Sequence, residues 1–250
     1  MTAVVEPVAR LAALPGVSTA SRVAERAEHA RTTGRVLPVS AALAGLLPDA
    51  GLRRGSTVAV HRSTSLLLAL LAEATAAGSW AAVVGVPSLG IAAAEEHGVD
   101  VARLALVPRP GAEYPAVVAA LLDGVDLVVT EPRSVRPPVA RRLSARARHR
   151  GAVLLSLGPW PAADLELHCT PGPWAGFLGA GAGFLRARDA EVRAGGRGSA
   201  ARPRSATLAL PGPGGRALLA DPAPVLLPVQ RLDGLDGLDE LDPLDQEVAG

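Results

Sequence analysis

Arginine supplies the cationic side chains that could bind an anion in this chain. All 25 residues counted as lysine or arginine are arginine, and lysine is absent. A Schiff-base enzyme and the lysine of a phosphate-binding loop are therefore excluded. Guanidinium groups form paired hydrogen bonds with phosphate, so clusters of arginine are the first candidates for function.

The strongest cluster of arginines lies on one predicted helix that has no acidic residue. Val139, Leu143 and Ala147 recur every four residues on its buried side, which leaves the arginines on the exposed side. These form a predicted DNA or protein contact: Arg136, Arg141, Arg142, Arg146, Arg148 and Arg150. Contacts with the DNA backbone would depend steeply on salt. The alternative is that this side of the helix is an ordinary solvent-exposed face, whose charged residues are arginine because the chain uses no lysine.

The side chains suited to covalent or metal chemistry do not form a site in the sequence. Cys169 is the only cysteine, which excludes an internal disulfide and a cysteine-based zinc site. His168 precedes it in a predicted strand, where neighbouring side chains point to opposite faces. The other histidines considered are scattered: His61, His97 and His149. We therefore predict no catalytic residue, no metal and no cofactor.

The last 30 residues differ from the rest of the chain in charge. They hold eight acids and Arg231, for a net charge of −7, whereas the first 220 residues carry +8. Leucine recurs every third residue here, a period of neither helix nor strand. Acidic segments with interspersed leucine are typical of disordered chains that order on a partner. The predicted partner-binding residues are Leu232, Leu235, Leu238, Leu241 and Leu244. An inert tail, or one that binds the chain's own arginines, is the alternative.

Strand-like and helix-like patterns alternate from residue 56 to residue 157. Strands are predicted at Ser56–Arg62, Trp80–Val86, Arg103–Val107, Val125–Glu131 and Gly151–Leu157. Helices are predicted at Thr64–Ala77, Ser88–His97, Glu113–Leu122 and Pro137–Arg150. The strands are continuous apolar runs, as expected where helices cover both faces of a sheet. Right-handed crossovers then imply an α/β fold with a mostly parallel sheet.

The pattern changes after Asp164, and the flanking segments set the predicted domain boundaries. Short antiparallel strands are predicted at Leu165–Thr170, Gly183–Arg188 and Ala206–Leu210, as an extension of the sheet. Residues 1–36 are assigned to an N-terminal helix (about Thr19 to Thr33) and linker, 37–215 to the α/β domain, and 216–250 to a Pro/Gly-rich linker and the disordered acidic tail. With no signal peptide and no apolar run of about 20 residues, we expect a cytoplasmic protein without membrane contact.

Several short segments resemble the RecA family in their order and spacing. Gly51–Gly55 (GLRRG) is similar to the turn before that family's phosphate loop, and His97–Leu104 to the segment before its third strand. Pro108–Glu113 (PRPGAE) resembles the segment that carries the catalytic glutamate. The strand at 125–131 lies where the family has its second acidic motif. The resemblance implies a RecA-like core from about residue 37 to residue 157, and less clearly to residue 210.

The chain departs from the RecA family where that family binds phosphate. A phosphate loop reads G-x-x-x-x-G-K-[ST], so that glycine amides and a lysine contact the phosphates. Here the segment is HRSTS, with no glycine and fewer residues between strand and helix. The resemblance places Glu113 at the water-activating glutamate and Glu131 at the metal-associated acid. It implies a degenerate nucleotide site without ATPase activity, formed by Arg62, Ser63, Thr64, Ser65, Glu113 and Glu131. A helix N-terminal carboxylate and a strand-end charge are the alternatives for the two glutamates.

A RecA-like core without its phosphate loop and with an acidic tail is similar to the actinobacterial ImuA-like proteins. That resemblance implies a non-catalytic adaptor of a DNA-damage-induced complex for mutagenic translesion synthesis, within the SOS response and DNA repair. Its implied partners are an ImuB-like Y-family polymerase homologue and an error-prone replicative-type DNA polymerase. Further partners that the resemblance implies are the DNA backbone, RecA and a second copy of the chain. The protein would then lie at the nucleoid when the complex is active. The alternative is a divergent nucleotide-binding RecA paralogue that acts as an ATP-dependent DNA repair switch.

Overall fold

The computed structural model describes residues 34–131, 135–177 and 183–220. The helix predicted at 19–33 and the acidic tail, with its five predicted partner-binding leucines, lie outside the described residues. The strands are β1 (Val36–Leu37), β2 (Leu52–Arg53), β3 (Thr57–His61), β4 (Ala81–Val84), β5 (Leu104–Val107), β6 (Leu127–Thr130), β7 (Val153–Leu157), β8 (Leu165–Phe177), β9 (Gly183–Gly196), β10 (Arg204–Ala209) and β11 (Leu218–Leu219). The α-helices are α1 (Ala41–Ala44), α2 (Thr64–Ala76), α3 (Ile91–Glu96), α4 (Tyr114–Gly124) and α5 (Pro137–Arg150).

Nine of these strands form one sheet in the order β11-β10-β9-β8-β3-β7-β6-β4-β5. Neighbouring strands from β8 to β5 run parallel, and those from β8 to β11 run antiparallel. The prediction of an α/β fold with a mostly parallel sheet is confirmed. The short strands β1 and β2 pair with each other in a separate antiparallel ribbon.

The extension beyond β3 differs from the prediction in one strand. β8 is parallel to β3 and antiparallel to β9, so it joins the two parts of the sheet and the prediction of an antiparallel strand was wrong on its β3 side. β8 and β9 are also longer than predicted, with 13 and 14 residues. β11 pairs with β10 beyond the domain boundary predicted at residue 215.

Helices cover both faces of the parallel strands, as the continuous apolar runs predicted. On one face, α1, α2 and α3 pack against alternate side chains of the strands, including Val58, Val83 and Leu155. On the other face, α4 and α5 pack against the intervening side chains, such as Ala59 and Leu154. The sheet therefore lies between two apolar layers.

Helix α2 is the most deeply buried helix among the described residues. All residues from 66 to 72 are buried, as are Ala74 and Thr75, which confirms that this helix is enclosed by protein. Its sequence is apolar all round because each of its sides meets the sheet or a neighbouring element. Only its ends reach the surface.

The antiparallel strands are covered on one face only. In β9, Ala190, Val192 and Ala194 are buried against the α2 side of the sheet, and the residues between them are at least partly exposed. This alternation is expected for a sheet with one solvated face. The open face lies on the same side of the sheet as α4 and α5.

A buried polar cluster joins β3, α5 and the connection from β7 to β8. The Ser144 hydroxyl oxygen on α5 accepts a hydrogen bond from the Thr57 hydroxyl (3.0 Å) and another from the Trp160 indole N–H (2.9 Å). Thr57 is fully buried, and Trp160 and Ser144 are 3% and 8% exposed. The cluster fixes the N-terminal end of β3 against α5.

Every helix within the described ranges is too short or too polar to span a bilayer.

Candidate functional site

The connection from β3 to α2 is the place where the sequence predicted a degenerate nucleotide site. Only Arg62 and Ser63 separate the end of β3 from the start of α2. Arg62 is exposed and has a left-handed backbone conformation, with φ of 64°. A non-glycine residue in this conformation is strained, and its presence here lets the chain turn within two residues.

Ser63 occupies the position at the start of α2 where a phosphate loop would place an anion. Its side chain is buried, and its hydroxyl oxygen accepts a hydrogen bond from the Leu66 backbone N–H at 3.0 Å. This is an ordinary N-terminal cap, which satisfies an amide that is otherwise free to bind phosphate. Thr64 is exposed and Ser65 is half-buried beside it. The junction therefore has too few residues to wrap around a phosphate group.

A cleft of about 470 Å³ opens at the carboxyl ends of β4, β5 and β6. The chain leaves β4 toward β5 on one side and leaves β6 toward β7 on the other, because β4 and β6 are neighbours in the sheet. Such a reversal of direction leaves a crevice that α/β proteins commonly use for ligands. The cleft is lined by Gly85, Pro87, Pro108, Pro110, Gly111, Ala112, Tyr114, Pro115, Glu131, Val135, Arg136 and Val139.

The cleft receives only one of the two predicted acidic residues. Glu131 lines it, whereas Glu113 lies in an exposed 3₁₀ turn before α4 and makes no capping hydrogen bond through its side chain. None of residues 61–65 lines the cleft. The predicted nucleotide-site residues are thus divided among three places: the β3–α2 junction, the β4–β6 cleft with Glu131, and the turn before α4 with Glu113.

Tyr114 is the aromatic residue of the cleft, and its hydroxyl is hydrogen-bonded to the buried Thr130 hydroxyl on β6. Burial raises the pKa of Tyr114, and the hydrogen bond with Thr130 opposes that shift. The phenol is therefore neutral at physiological pH and positions a polar group on an otherwise proline-rich wall. The sequence analysis did not identify this cleft, although prolines and glycines directly after consecutive predicted strands are a usable signal.

Three of the six predicted contact arginines, which comprise Arg136 at the N-cap of α5 and five arginines on the helix, are engaged in ion pairs within the chain. Arg146 and Arg150 both donate hydrogen bonds to the Asp123 carboxylate at the end of α4, through their Nε atoms at 2.8 and 3.0 Å. The hydrogen bond from Arg146, together with both positive charges, lowers the pKa of Asp123 to about 2. Arg148 lies 3.5 Å from an oxygen of Asp164. The positive charges of these three arginines are therefore partly offset by carboxylates of the same chain.

The other three arginines of α5 are the ones available for an external anion. Arg136, Arg141 and Arg142 are exposed, and no acidic side chain in the described part of the chain pairs with them. Arg136 is at the start of the helix and lines the β4–β6 cleft. A contact with DNA or with a partner protein through the six predicted arginines stays a prediction, and these three carry the charge that no described acid offsets.

A second basic region spans residues 186–204, and its arginines have varied partners. It contains Arg186, Arg188, Arg193, Arg197, Arg202 and Arg204. Arg188 lies over the Trp174 ring at 4.9 Å, a cation–π contact across the β8–β9 pair. Arg193 donates to Glu191 at 2.8 Å, and Arg204 donates to the Leu47 carbonyl at 2.7 Å. Of these contacts, the one between Arg188 and Trp174 joins two antiparallel strands, and the one between Arg204 and Leu47 joins β10 to the segment after α1.

The structure brings together two histidines that are more than 100 residues apart in the sequence. His61 ends β3 and His168 lies in β8, and the two are direct partners in the parallel pairing of these strands. Their rings are stacked, with centroids 4.1 Å apart, and both Nε2 atoms approach the Glu166 carboxylate. Burial and the neighbouring His168 lower the pKa of His61, and the Glu166 charge acts in the opposite direction. The sequence did not link His61 to His168, because only the strand order makes β3 and β8 neighbours.

Comparison with known proteins finds similarity over part of the chain. Residues 45–162 match the family model described as the MT3502 N-terminal domain. The chain is also similar to the uncharacterized protein Rv3395c of Mycobacterium tuberculosis, with 43% identity over 116 residues. That alignment covers 45% of this chain and 57% of Rv3395c, so this chain matches little more than half of the relative's length.

Proposed function

We propose that this protein is a non-catalytic, RecA-like adaptor of a DNA-damage-induced translesion synthesis complex, similar to the ImuA-like proteins. It bridges an ImuB-like Y-family polymerase homologue and an error-prone replicative-type DNA polymerase. The observation that carries the non-catalytic part is the two-residue connection from β3 to α2, in which Ser63 caps the helix that would otherwise bind phosphate. A scaffold of this kind needs the sheet and its helices, and does not need a nucleotide.

The electrostatic layout supports an adaptor with two separate binding surfaces. Arg136, at the N-cap of α5, and Arg141 and Arg142 on it are exposed and have no ion pair with another described residue, which suits a phosphate backbone or an acidic protein surface. The tail carries the opposite charge and apolar side chains, so it complements a basic partner with an apolar groove. Two surfaces of opposite charge can hold two different partners at the same time.

Nucleotide binding tests the non-catalytic part of the proposal. We expect millimolar ATP with Mg²⁺ to leave the melting temperature of the full chain unchanged, because no glycine amides and no lysine are present to hold the phosphates. A ligand present at about 100 times its dissociation constant would stabilise the folded state by about 2.7 kcal/mol, and a thermal-shift assay detects such a change easily. A clear shift that disappears in Thr64→Ala would instead support the ATP-dependent switch. Thr64 is suitable for this test because it is exposed and its replacement leaves the core intact.

Partner binding by the tail tests the adaptor part of the proposal. We expect deletion of residues 231–250 to abolish capture of at least one of the two purified polymerase partners, with the melting temperature of the remaining chain unchanged. Two full-length variants separate the contributions of charge and apolar side chains. One replaces the five tail leucines with serine and keeps the charge of −7; the other replaces the aspartates that follow them with asparagine and keeps the leucines.

An apolar groove on the partner predicts that the leucine variant loses most of the affinity, measured by surface plasmon resonance. Binding that depends on the aspartates alone and falls with salt would indicate a purely electrostatic contact. Undiminished binding of the deletion variant to both partners would remove the tail from the proposed mechanism. Failure of the intact chain to bind either polymerase would contradict the adaptor function itself.

A further inference from the structure

We propose that His61, Glu166 and His168 form a binding site for a divalent transition-metal ion of the zinc class. The site has two imidazole nitrogens and one carboxylate, a ligand set that zinc uses in proteins with a fourth position left open. It is a property of this chain's own sheet and is independent of nucleotide or polymerase binding. Its three side chains come from two neighbouring strands.

Strand pairing places the three side chains together. The parallel register of β3 and β8 pairs His61 with His168 and Ala59 with Glu166. Glu166 and His168 are two residues apart in one strand, so they share a face of the sheet, and His61 lies on that face directly opposite. The adjacent residues Val60, Leu165 and Leu167 are buried on the other face, which fixes the backbone beneath the site.

The distances between the ligand atoms are close to those of a tetrahedral metal site. The His61 and His168 Nε2 atoms lie 3.5 and 3.4 Å from Oε2 of Glu166. All three candidate ligand atoms lie within 4.8 Å of one another. With metal–ligand bonds of about 2.0–2.1 Å, neighbouring ligands in a tetrahedron are roughly 3.3 Å apart. Two of the three ligand–ligand distances therefore already have the required length.

The Nε2 atom of His61 is a buried polar atom whose hydrogen-bonding capacity is unsatisfied within the described residues, whichever tautomer the ring adopts. It is inaccessible to solvent and has no hydrogen-bond partner of ordinary geometry among the described residues; Oε2 of Glu166 lies 3.5 Å away. An unsatisfied buried nitrogen is costly, and such groups call for a ligand or an ion. A metal ion between the three side chains would satisfy it and would also neutralise the carboxylate.

One side chain must move when the ion binds. The two rings are almost parallel, with an angle of 5° between their planes, and a metal lies near the plane of each imidazole that binds it. The His61 side chain is 16% exposed and is held in place, whereas that of His168 is 56% exposed and has space to rotate. Rotation of His168 brings its Nε2 toward the ion and leaves the fourth position on the solvent side.

Metal binding would tie the parallel part of the sheet to its antiparallel extension. β3 belongs to the former, and β8 joins the two. The site also directly precedes Arg62 and Ser63, so an ion here would fix the short β3–α2 connection. The expected result is a more rigid carboxyl end of β3, with one coordination position open to water or to an acidic group.

The experiment uses the full chain, stripped of metal with EDTA and titrated with ZnCl₂ by isothermal calorimetry. We expect one Zn²⁺ ion per chain at the site and a rise in melting temperature. His168→Ala and Glu166→Gln should each weaken this binding by at least about tenfold, a loss comparable with that from disturbing known metal sites. Both residues are at the surface, so their replacement should leave the metal-free melting temperature unchanged.

The matched control is His149→Ala, which removes an exposed histidine of α5 outside the cluster. It should bind Zn²⁺ as the unmodified chain does. Cobalt substitution provides a second readout, because a four-coordinate site with two nitrogens gives an intense visible spectrum that His168→Ala should lose. Equal zinc affinity in the unmodified chain and in His168→Ala, or no binding at 100 µM zinc, would overturn the proposal.

Discussion

Replacing Leu70 with alanine is expected to lower the free energy of unfolding by about 2–5 kcal/mol. Leu70 is fully buried in α2, on a helix whose every side is enclosed. Removing three carbon atoms there loses their transfer free energy and leaves a cavity, because the surrounding sheet and helices relax only in part. Denaturation by urea, followed by far-UV circular dichroism, measures the change.

Leu219→Ala is the matched control, since the same atoms are removed from a side chain that is 63% exposed on the edge strand β11. Its effect should be within about 0.5 kcal/mol, as for most surface substitutions. Equal effects of the two replacements would contradict the buried position of α2. The start of α2 also forms the two-residue β3–α2 junction on which the proposed non-catalytic role rests.

Ser144→Ala is expected to cost about 2–4 kcal/mol of unfolding free energy although it removes a single oxygen atom. That oxygen accepts hydrogen bonds from the Thr57 hydroxyl and the Trp160 indole, and all three groups are buried. The replacement leaves two buried donors without an acceptor, and each unsatisfied group costs about 1–3 kcal/mol. Chemical denaturation again provides the measurement, with Trp160 fluorescence as a local probe.

Ala145→Ser controls for the change in helix propensity, because Ala145 is the exposed neighbour of Ser144 on the same helix. A double-mutant cycle then isolates the hydrogen bond with the indole. If Trp160→Phe is made in the Ser144→Ala background, its cost should be smaller than in the unmodified chain. Additive effects of the two replacements would show that the Ser144–Trp160 hydrogen bond contributes nothing.

The parallel part of the fold was predictable because its strands and helices have strong local signals. Strand β3 and helix α2 were each placed to within one or two residues, since an apolar run changes to a continuous helical segment with a serine between them. The glycine at position 151 ends α5 with a positive φ of 71°, as expected for a helix stop signal. Such signals lie within a few residues of the element they define.

The ion pairs of the α5 arginines and the histidine cluster depend on contacts between distant residues, so the sequence did not predict them. Asp123 neutralises Arg146 and Arg150 from another helix, which a search of α5 alone could not reveal. His61 and His168 meet only because β8 pairs with β3. A strand at Leu165–Thr170 was predicted, but its parallel direction relative to β3 depends on the path of the chain after β7.

The strand order also has a consequence for how the chain folds during synthesis. β3 is made early, yet its two neighbours are β7 and β8, whose first residues, Val153 and Leu165, are made about 100 residues later. Contacts this far apart in sequence form slowly, because a long loop must close first. The leucines of α2 therefore emerge from the ribosome well before the surface that buries them is complete. A nascent chain halted before β8 would expose an apolar helix and an unpaired strand, which are features that chaperones bind and that promote aggregation.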